Sequence, residues 1–184
     1  MCRVARVDFG TAGVRGASLG AEVVCVRPVM LESWKQKQGP MVPCGQCIEC
    51  RLRRSRDWAV RCMHEASLYE ENSFITLTYA DEHLPAGGSL DRRAFPLFMK
   101  RLRKEVGPVR YFHAGEYGEK NGRPHYHALL FGLWPADSKP CGQTRSGHQV
   151  FQSDTVSELW PFGFSQLGSV TFESAQYIAS YYVK

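Results

Sequence analysis

The 184 residues are 43% hydrophobic and 22% charged, with a net charge of +5; this is the balance of one ordinary globular domain large enough to bury a core. No apolar run reaches the roughly 18 residues that span a bilayer, and the N-terminus, MCRVARVDFGTAGVRG, lacks the apolar centre of a signal peptide. These features exclude a membrane protein of the helical kind and lead us to expect a cytosolic one. The basic residues cluster as Arg51, Arg53, Arg54 and Arg56 and again as Lys100, Arg101, Arg103 and Lys104. Two such clusters interleaved with aromatics point to a polyanion, with nucleic acid the leading partner, although two solvated helix faces would have the same composition.

Residues 1–24, rich in Gly and Ala, read as a poorly ordered leader, and 25–184 as a single domain. The cysteines number seven, and Cys44, Cys47 and Cys50 are spaced CxxCxxC, with Gly45 permitting a tight turn. In a reducing compartment this spacing points to a metal site rather than disulfides. A closed structural zinc site needs a fourth ligand; an iron–sulfur cluster is the alternative. Cys62 shares helical phase with Ile48, Leu52 and Ala59 and so reads as a buried core thiol. Arg51, Arg53, Arg54 and Arg56 follow Cys50 directly, where the cluster could aim them at a DNA backbone.

A helix is predicted from Ile48 to about Tyr69, and FITLTY (74–79) is a β-branched and aromatic strand. Ser89 or Asp91 can cap a second helix running to about Lys104, with Pro96 kinking it or delaying its start. VRYFHAGE (109–116) is a strand, EKNGRP a turn, and HYHALLFG the next strand. Residues 133–160 resemble an insertion plus a short helix; GFSQLGSVTFE supplies one or two strand pieces, and ESAQYIASYYVK a closing helix. The expected class is α+β, an antiparallel central sheet flanked by helices, with a small Cys-rich metal-binding element at 25–50.

Strand alternation points His125 and His127 to one face, roughly 7 Å apart along the chain. Two imidazoles on one strand can chelate a divalent ion, and a neighbouring strand can complete the sphere. On the preceding strand Tyr111, His113 and Gly115 share one face, and Phe112, Ala114 and Glu116 the other. His113 and Glu116 therefore cannot both reach the ion; Glu116 is chosen because a carboxylate leaves a mixed N/O site suited to Mn²⁺ or Mg²⁺ as well as Zn²⁺. Metallo-β-lactamase and cupin patterns both fail, the first because Leu129 stands where an aspartate is needed. Tyr177, Tyr181 and Lys184 stand at i, i+4 and i+7, one helical stripe. A tyrosine stripe is commonly core, but beside a metal site its phenols are suited to covalent attack on a phosphodiester.

FITLTY, GRPHYHALLFG and YIASYYVK, in that order, resemble the three motifs of HUH endonucleases that initiate rolling-circle replication. PCGQCIECRLRRSRDWAVRCMHEAS, LTYADEHLP, FHAGEYGEKNGRPHYH and TFESAQYIASYY resemble more closely the initiators of Microviridae, particularly the gokushovirus branch. The resemblance spans roughly residues 25–184. It implies a metal-dependent nickase that cuts one strand at the phage origin, keeps the 5′ end on tyrosine and frees a 3′-OH to prime synthesis. It implies His125, His127 and Glu116 as ligands for catalytic Mg²⁺ or Mn²⁺, Tyr181 with Lys184 as the nucleophile motif, and Tyr177 as a second tyrosine. Ser180 stands where some relatives carry a lysine after the first tyrosine, which sets the two tyrosines apart and favours Tyr181. It also implies Cys25, in CVRP, as the fourth ligand of a Zn²⁺ site. No GxxxxGK[ST] occurs, so a host helicase and polymerase are expected to unwind and copy the DNA in the bacterial cytoplasm. The position of Lys184 directly after the last motif suggests a nuclease fragment of a longer protein. The rival readings are an HUH transposase or relaxase, and a non-catalytic zinc protein that binds DNA.

Overall fold

The computed structural model describes residues 24–30, 41–118, 121–144 and 146–183. The expected leader, apart from Val24, and Lys184 lie outside the described residues. Two short strands, β1 (Val29–Met30) and β2 (Met41–Val42), pair antiparallel ahead of helix α1 (Ile48–Ala66). There follow β3 (Asn72–Tyr79), α2 (Ala94–Val106), β4 (Arg110–Tyr117), β5 (Pro124–Phe131), β6 (Lys139–Gln143), β7 (Gln149–Gln152), α3 (Asp154–Leu159), β8 (Gly163–Ser169) and α4 (Phe172–Tyr182). Strands β3 to β8 form one six-stranded sheet in the order β4-β5-β3-β8-β7-β6, every described pairing antiparallel. The α+β class expected from the sequence is the one observed. Among the described residues no helix is long and apolar enough to cross a membrane.

Alternation along the strands divides the core in two. Tyr126, Ala128 and Leu130 of β5 pack with Ile75 and Leu77 of β3 against Phe95, Phe98, Met99 and Leu102 of α2, with Trp160 just after α3. Leu129 and Phe131 point the other way, with Phe74, onto Ala59 and Cys62 of α1 and Ala175 and Ile178 of α4. With helices on both faces β5 can be apolar on both, which is why its two histidines stand out. Burying each of the fully enclosed rings of Phe95 and Phe98 contributes about 1.5–3 kcal/mol.

Several local expectations need correction. Helix α2 starts at Ala94, with no side-chain cap from Ser89 or Asp91, so Pro96 falls in its first turn, where a missing N–H costs nothing. Residues 133–160 are not an insertion on the sheet but its extension, because β6 and β7 form a hairpin that pairs onto β8. Their Gly, Ser and Pro content hid this, since edge strands tolerate such residues. In α1 the buried stripe is Cys50, Ser55, Ala59, Cys62 and Ala66, whereas Ile48 and Leu52 are exposed. Cys62 is the core thiol the sequence suggested, on a stripe that excludes two of the residues used to find it. GFSQLGSVTFE holds one strand, not two, and α4 begins at a capping box formed by Thr171 and Ser174.

Candidate metal centre and tyrosine helix

Register brings the first cluster together. Glu116 on β4 pairs with His125 on β5, and His125 pairs with Thr78 on β3; the next row runs Ala114, His127, Thr76. Directly paired residues share a face, so Glu116 lies beside both imidazoles, its Oε2 3.5 Å from His125 Nε2 and 3.3 Å from His127 Nε2. His113 faces the opposite side and stacks on Phe95, with ring centroids 4.1 Å apart. The hairpin between β4 and β5 that sets this register closes through Gly118 and Arg123, with Gly122 at φ 59°.

Each histidine is oriented through its other nitrogen, as metal ligands are. His125 Nδ1 lies 2.9 Å from the Arg123 carbonyl oxygen, which can only accept, so Nδ1 carries a proton and Nε2 is left to face Glu116. His127 Nδ1 is held at 2.9 Å by the Thr76 hydroxyl. His127 Nε2 is buried and has no hydrogen-bond partner, an orphaned polar atom of the kind an ion would satisfy. The three donor atoms lie within 4.8 Å of one another. Bonds of about 2.1 Å in a tetrahedral arrangement separate donors by about 3.4 Å, so the spacing and the N/O donor set fit a divalent cation.

Charge at the site is divided. Burial opposes ionisation of Glu116, but its contacts with His125, His127 and Tyr181 outweigh this and hold the carboxyl well below the usual carboxylate range. His127 is pushed down by burial and stays neutral. Burial works against protonation of His125 as well, yet the Glu116 carboxylate and the Arg123 carbonyl raise it.

Helix α4 lies over this face. Tyr177 donates its hydroxyl to Glu116, 2.9 Å from Oε2 and 3.1 Å from Oε1, and its ring meets His127 edge-on at 5.2 Å. Tyr181, one turn on, packs against Tyr177 at 5.1 Å and also hydrogen-bonds Glu116. Burial, then Tyr181 and Glu116, push the Tyr177 phenol far above its ordinary value. Tyr182 is exposed and instead meets Trp58 and Phe112 edge-on.

The second cluster is built from sulfur. Cys25, Cys44, Cys47 and Cys50 place their Sγ atoms within 4.8 Å of one another, and Cys47 Sγ is 3.8 Å from Cys25 Sγ. A tetrahedron of Zn–S bonds of about 2.3 Å has edges of about 3.8 Å, so the donor set fits that ion. Cys62, buried in the core, is not part of the cluster. The backbone N–H groups of Cys47 and Gln46 donate to Cys44 Sγ and lower its thiol to about 6. The Cys50 N–H favours the Cys47 thiolate, but desolvation and the adjacent Glu49 and sulfurs carry that thiol up to about 12. Four neighbouring thiols therefore cannot all ionise without a cation.

Arg51, Arg53, Arg54 and Arg56 are exposed on α1. Helical spacing puts Arg51 and Arg54 on the flank of Trp58, and Arg53 and Arg56 on the other side. A Cβ on Gly45 would sit 3.2 Å from the Arg54 guanidinium, so this arginine folds back over the cysteine turn. The sequence reading missed Arg61, which lies over the Trp58 ring at 5.0 Å. It also missed Thr76, for which a hydroxyl inside the apolar run FITLTY was the available signal.

Residues 72–184 match the family model for the replication-associated protein ORF2. Among curated proteins the chain is 42% identical over 151 residues to the replication-associated protein VP4 of Bdellovibrio phage phiMH2K, covering 77% of this chain and 48% of that protein. It is 38% identical to the replication-associated protein ORF2 of Spiroplasma virus 4, covering 78% and 48% of the two chains. It is 36% identical to the replication-associated protein ORF4 of Chlamydia phage 1, covering 82% and 39%. The chain thus spans about half the length, or less, of these relatives. No solved structure matches it.

Proposed function

This chain belongs to the replication-associated protein ORF2 family, and from that premise we propose that it is a metal-dependent single-stranded DNA endonuclease and strand transferase. It would nick the origin of a small phage genome inside the host cell and so begin rolling-circle replication. The observation that carries this reading is the meeting of two phenols at the carboxylate that also faces two oriented imidazoles.

In this mechanism Glu116, His125 and His127 hold a divalent cation, Mn²⁺ or Mg²⁺. When bound there, such an ion supplies Lewis acidity to the scissile phosphate. Tyr181 attacks phosphorus: the tyrosine O–P bond forms, the P–O3′ bond breaks, the phenolic proton passes to solvent and O3′ leaves as a hydroxyl. The 5′ phosphate stays on the tyrosine, so the energy of the broken phosphodiester is kept for rejoining. Tyr177, held by Glu116 in the resting site, is the second phenol, available to resolve the joint, and Lys184, three residues after Tyr181 in the chain, would counter the developing charge. The four cysteines hold a structural Zn²⁺ that ties residues near Cys25 to the start of α1. Arg51, Arg53, Arg54 and Arg56 would contact DNA phosphates without reading sequence. A host helicase and polymerase complete the cycle.

The test is an SDS-resistant adduct with single-stranded origin DNA in Mn²⁺, comparing the unaltered chain with Tyr181→Phe, Tyr177→Phe and the double variant. An adduct lost with Tyr181→Phe alone names the nucleophile, and loss only in the double variant means that the tyrosines alternate. No adduct with DNA binding intact would leave a zinc-containing DNA-binding protein.

A further inference from the structure

We propose that Phe164 is a base-stacking platform for the single strand that enters the metal centre. The inference rests on the nuclease reading for its substrate class, and on geometry for the residue. Phe164 pairs with Thr78, Thr78 with His125, and His125 with Glu116. The four side chains form one row across one face of the sheet. Two strand spacings separate Phe164 from His125, about 10 Å, within reach of a nucleotide next to the one being cut.

Its exposure is out of keeping with its position. Strand β8 is interior to the sheet, yet Phe164 is 42% exposed. At the other end of the same face Phe74, Leu129 and Phe131 are buried under α1 and α4. Thr78 and Gln166, partly exposed, border the ring on that face. Its backbone is fixed: a Cβ on Gly163 would collide with the Thr78 carbonyl oxygen, so glycine lets β8 press onto β3 just where Phe164 begins. A rigid aromatic face beside a phosphate-cutting site, continuous with it along one row, suits an unpaired base. Stacking of this kind tolerates any base, adding affinity and position without sequence preference.

Binding of fluorescein-labelled oligo(dT) and oligo(dA), each about fifteen nucleotides, is measured by anisotropy without added Mn²⁺. Phe164→Ala and Phe164→Leu are expected to weaken both oligonucleotides by about five- to a hundred-fold, while Phe164→Tyr and Phe164→Trp bind like the unaltered chain. Wild-type binding by Phe164→Leu overturns the proposal, as does an equal loss in all four variants. A fall in melting temperature for Phe164→Ala with binding unchanged also overturns it, since another part of the chain would then cover the ring. Adduct formation run in parallel separates this idea from the nuclease reading. An adduct with Phe164-independent binding removes the platform alone, and Phe164-dependent binding without any adduct removes the nuclease alone.

Discussion

The molecule carries two ligand clusters of similar tightness, their donor atoms in each case within 4.8 Å, but built in different ways. Glu116, His125 and His127 project from two hydrogen-bonded strands whose register is set by a hairpin and whose flanks pack into the core. Cys25 comes from a segment joined to the rest by a two-residue strand pair, and it meets Cys44, Cys47 and Cys50 from nineteen or more residues away. In the first cluster the fold positions the donors with or without an ion; in the second an ion would itself be a large part of what joins the segments. The mixed cluster has three donors and so leaves positions for substrate, whereas four sulfurs close a tetrahedron. A prebuilt, open site suits chemistry, and an assembled, closed one suits structure.

The comparison can be broken most directly at His127. Replacing it with alanine is expected to lower nicking by roughly 10³-fold, because the site loses a fully buried ligand, while the melting transition survives. Loss of the fold itself, read by circular dichroism, would mean that the mixed cluster is structural too. Thr76→Val keeps the shape of the strand but frees the His127 ring, and it should weaken Mn²⁺ binding about 10- to 100-fold in a calorimetric titration. An unchanged affinity would remove Thr76 from the site.

Proton competition gives a smaller effect with a definite sign. His125 is raised above its ordinary 6.5, so its pairing with Glu116 stabilises the metal-free chain fully below pH 6.5. That contribution is lost as pH rises through the raised value. Metal needs the neutral imidazole, so Mn²⁺ affinity should rise across the same window, about tenfold per pH unit below the raised value. A flat profile there would show that His125 is not a ligand. The smallest effect on nicking is expected at the other cluster. Cys44→Ser with Cys47→Ser should abolish zinc content by elemental analysis and open residues 24–50 to protease, yet change the rate at saturating DNA by only about threefold, as for a site remote from the reacting atoms. A collapse of the rate would join the two clusters into one functional unit.

Much of this site was legible because strands repeat every two residues. That period put His125, His127, Leu129 and Phe131 on one face and made Glu116 rather than His113 their partner, and the contacts of Glu116 and His113 follow it. Helical spacing likewise put Tyr177 and Tyr181 on one stripe. It misled in α1, where Leu52 fitted the apolar phase but the neighbours that decide burial lie on the other elements. The hairpin of β6 and β7 was hidden by weak propensities that tertiary pairing overrides.

What the sequence determined by itself was therefore local: which residues share a strand face or a helix stripe, and which cysteines lie within one turn of each other. The tertiary structure alone decided how far those faces are from one another. It turned Tyr177 and Tyr181 onto Glu116, brought Cys25 rather than Cys62 to the other sulfurs, set Thr76 behind His127, and left Phe164 open on the same face. The physical reason is that backbone periodicity acts over a few bonds, whereas strand order and helix packing are set by burial summed over the whole chain.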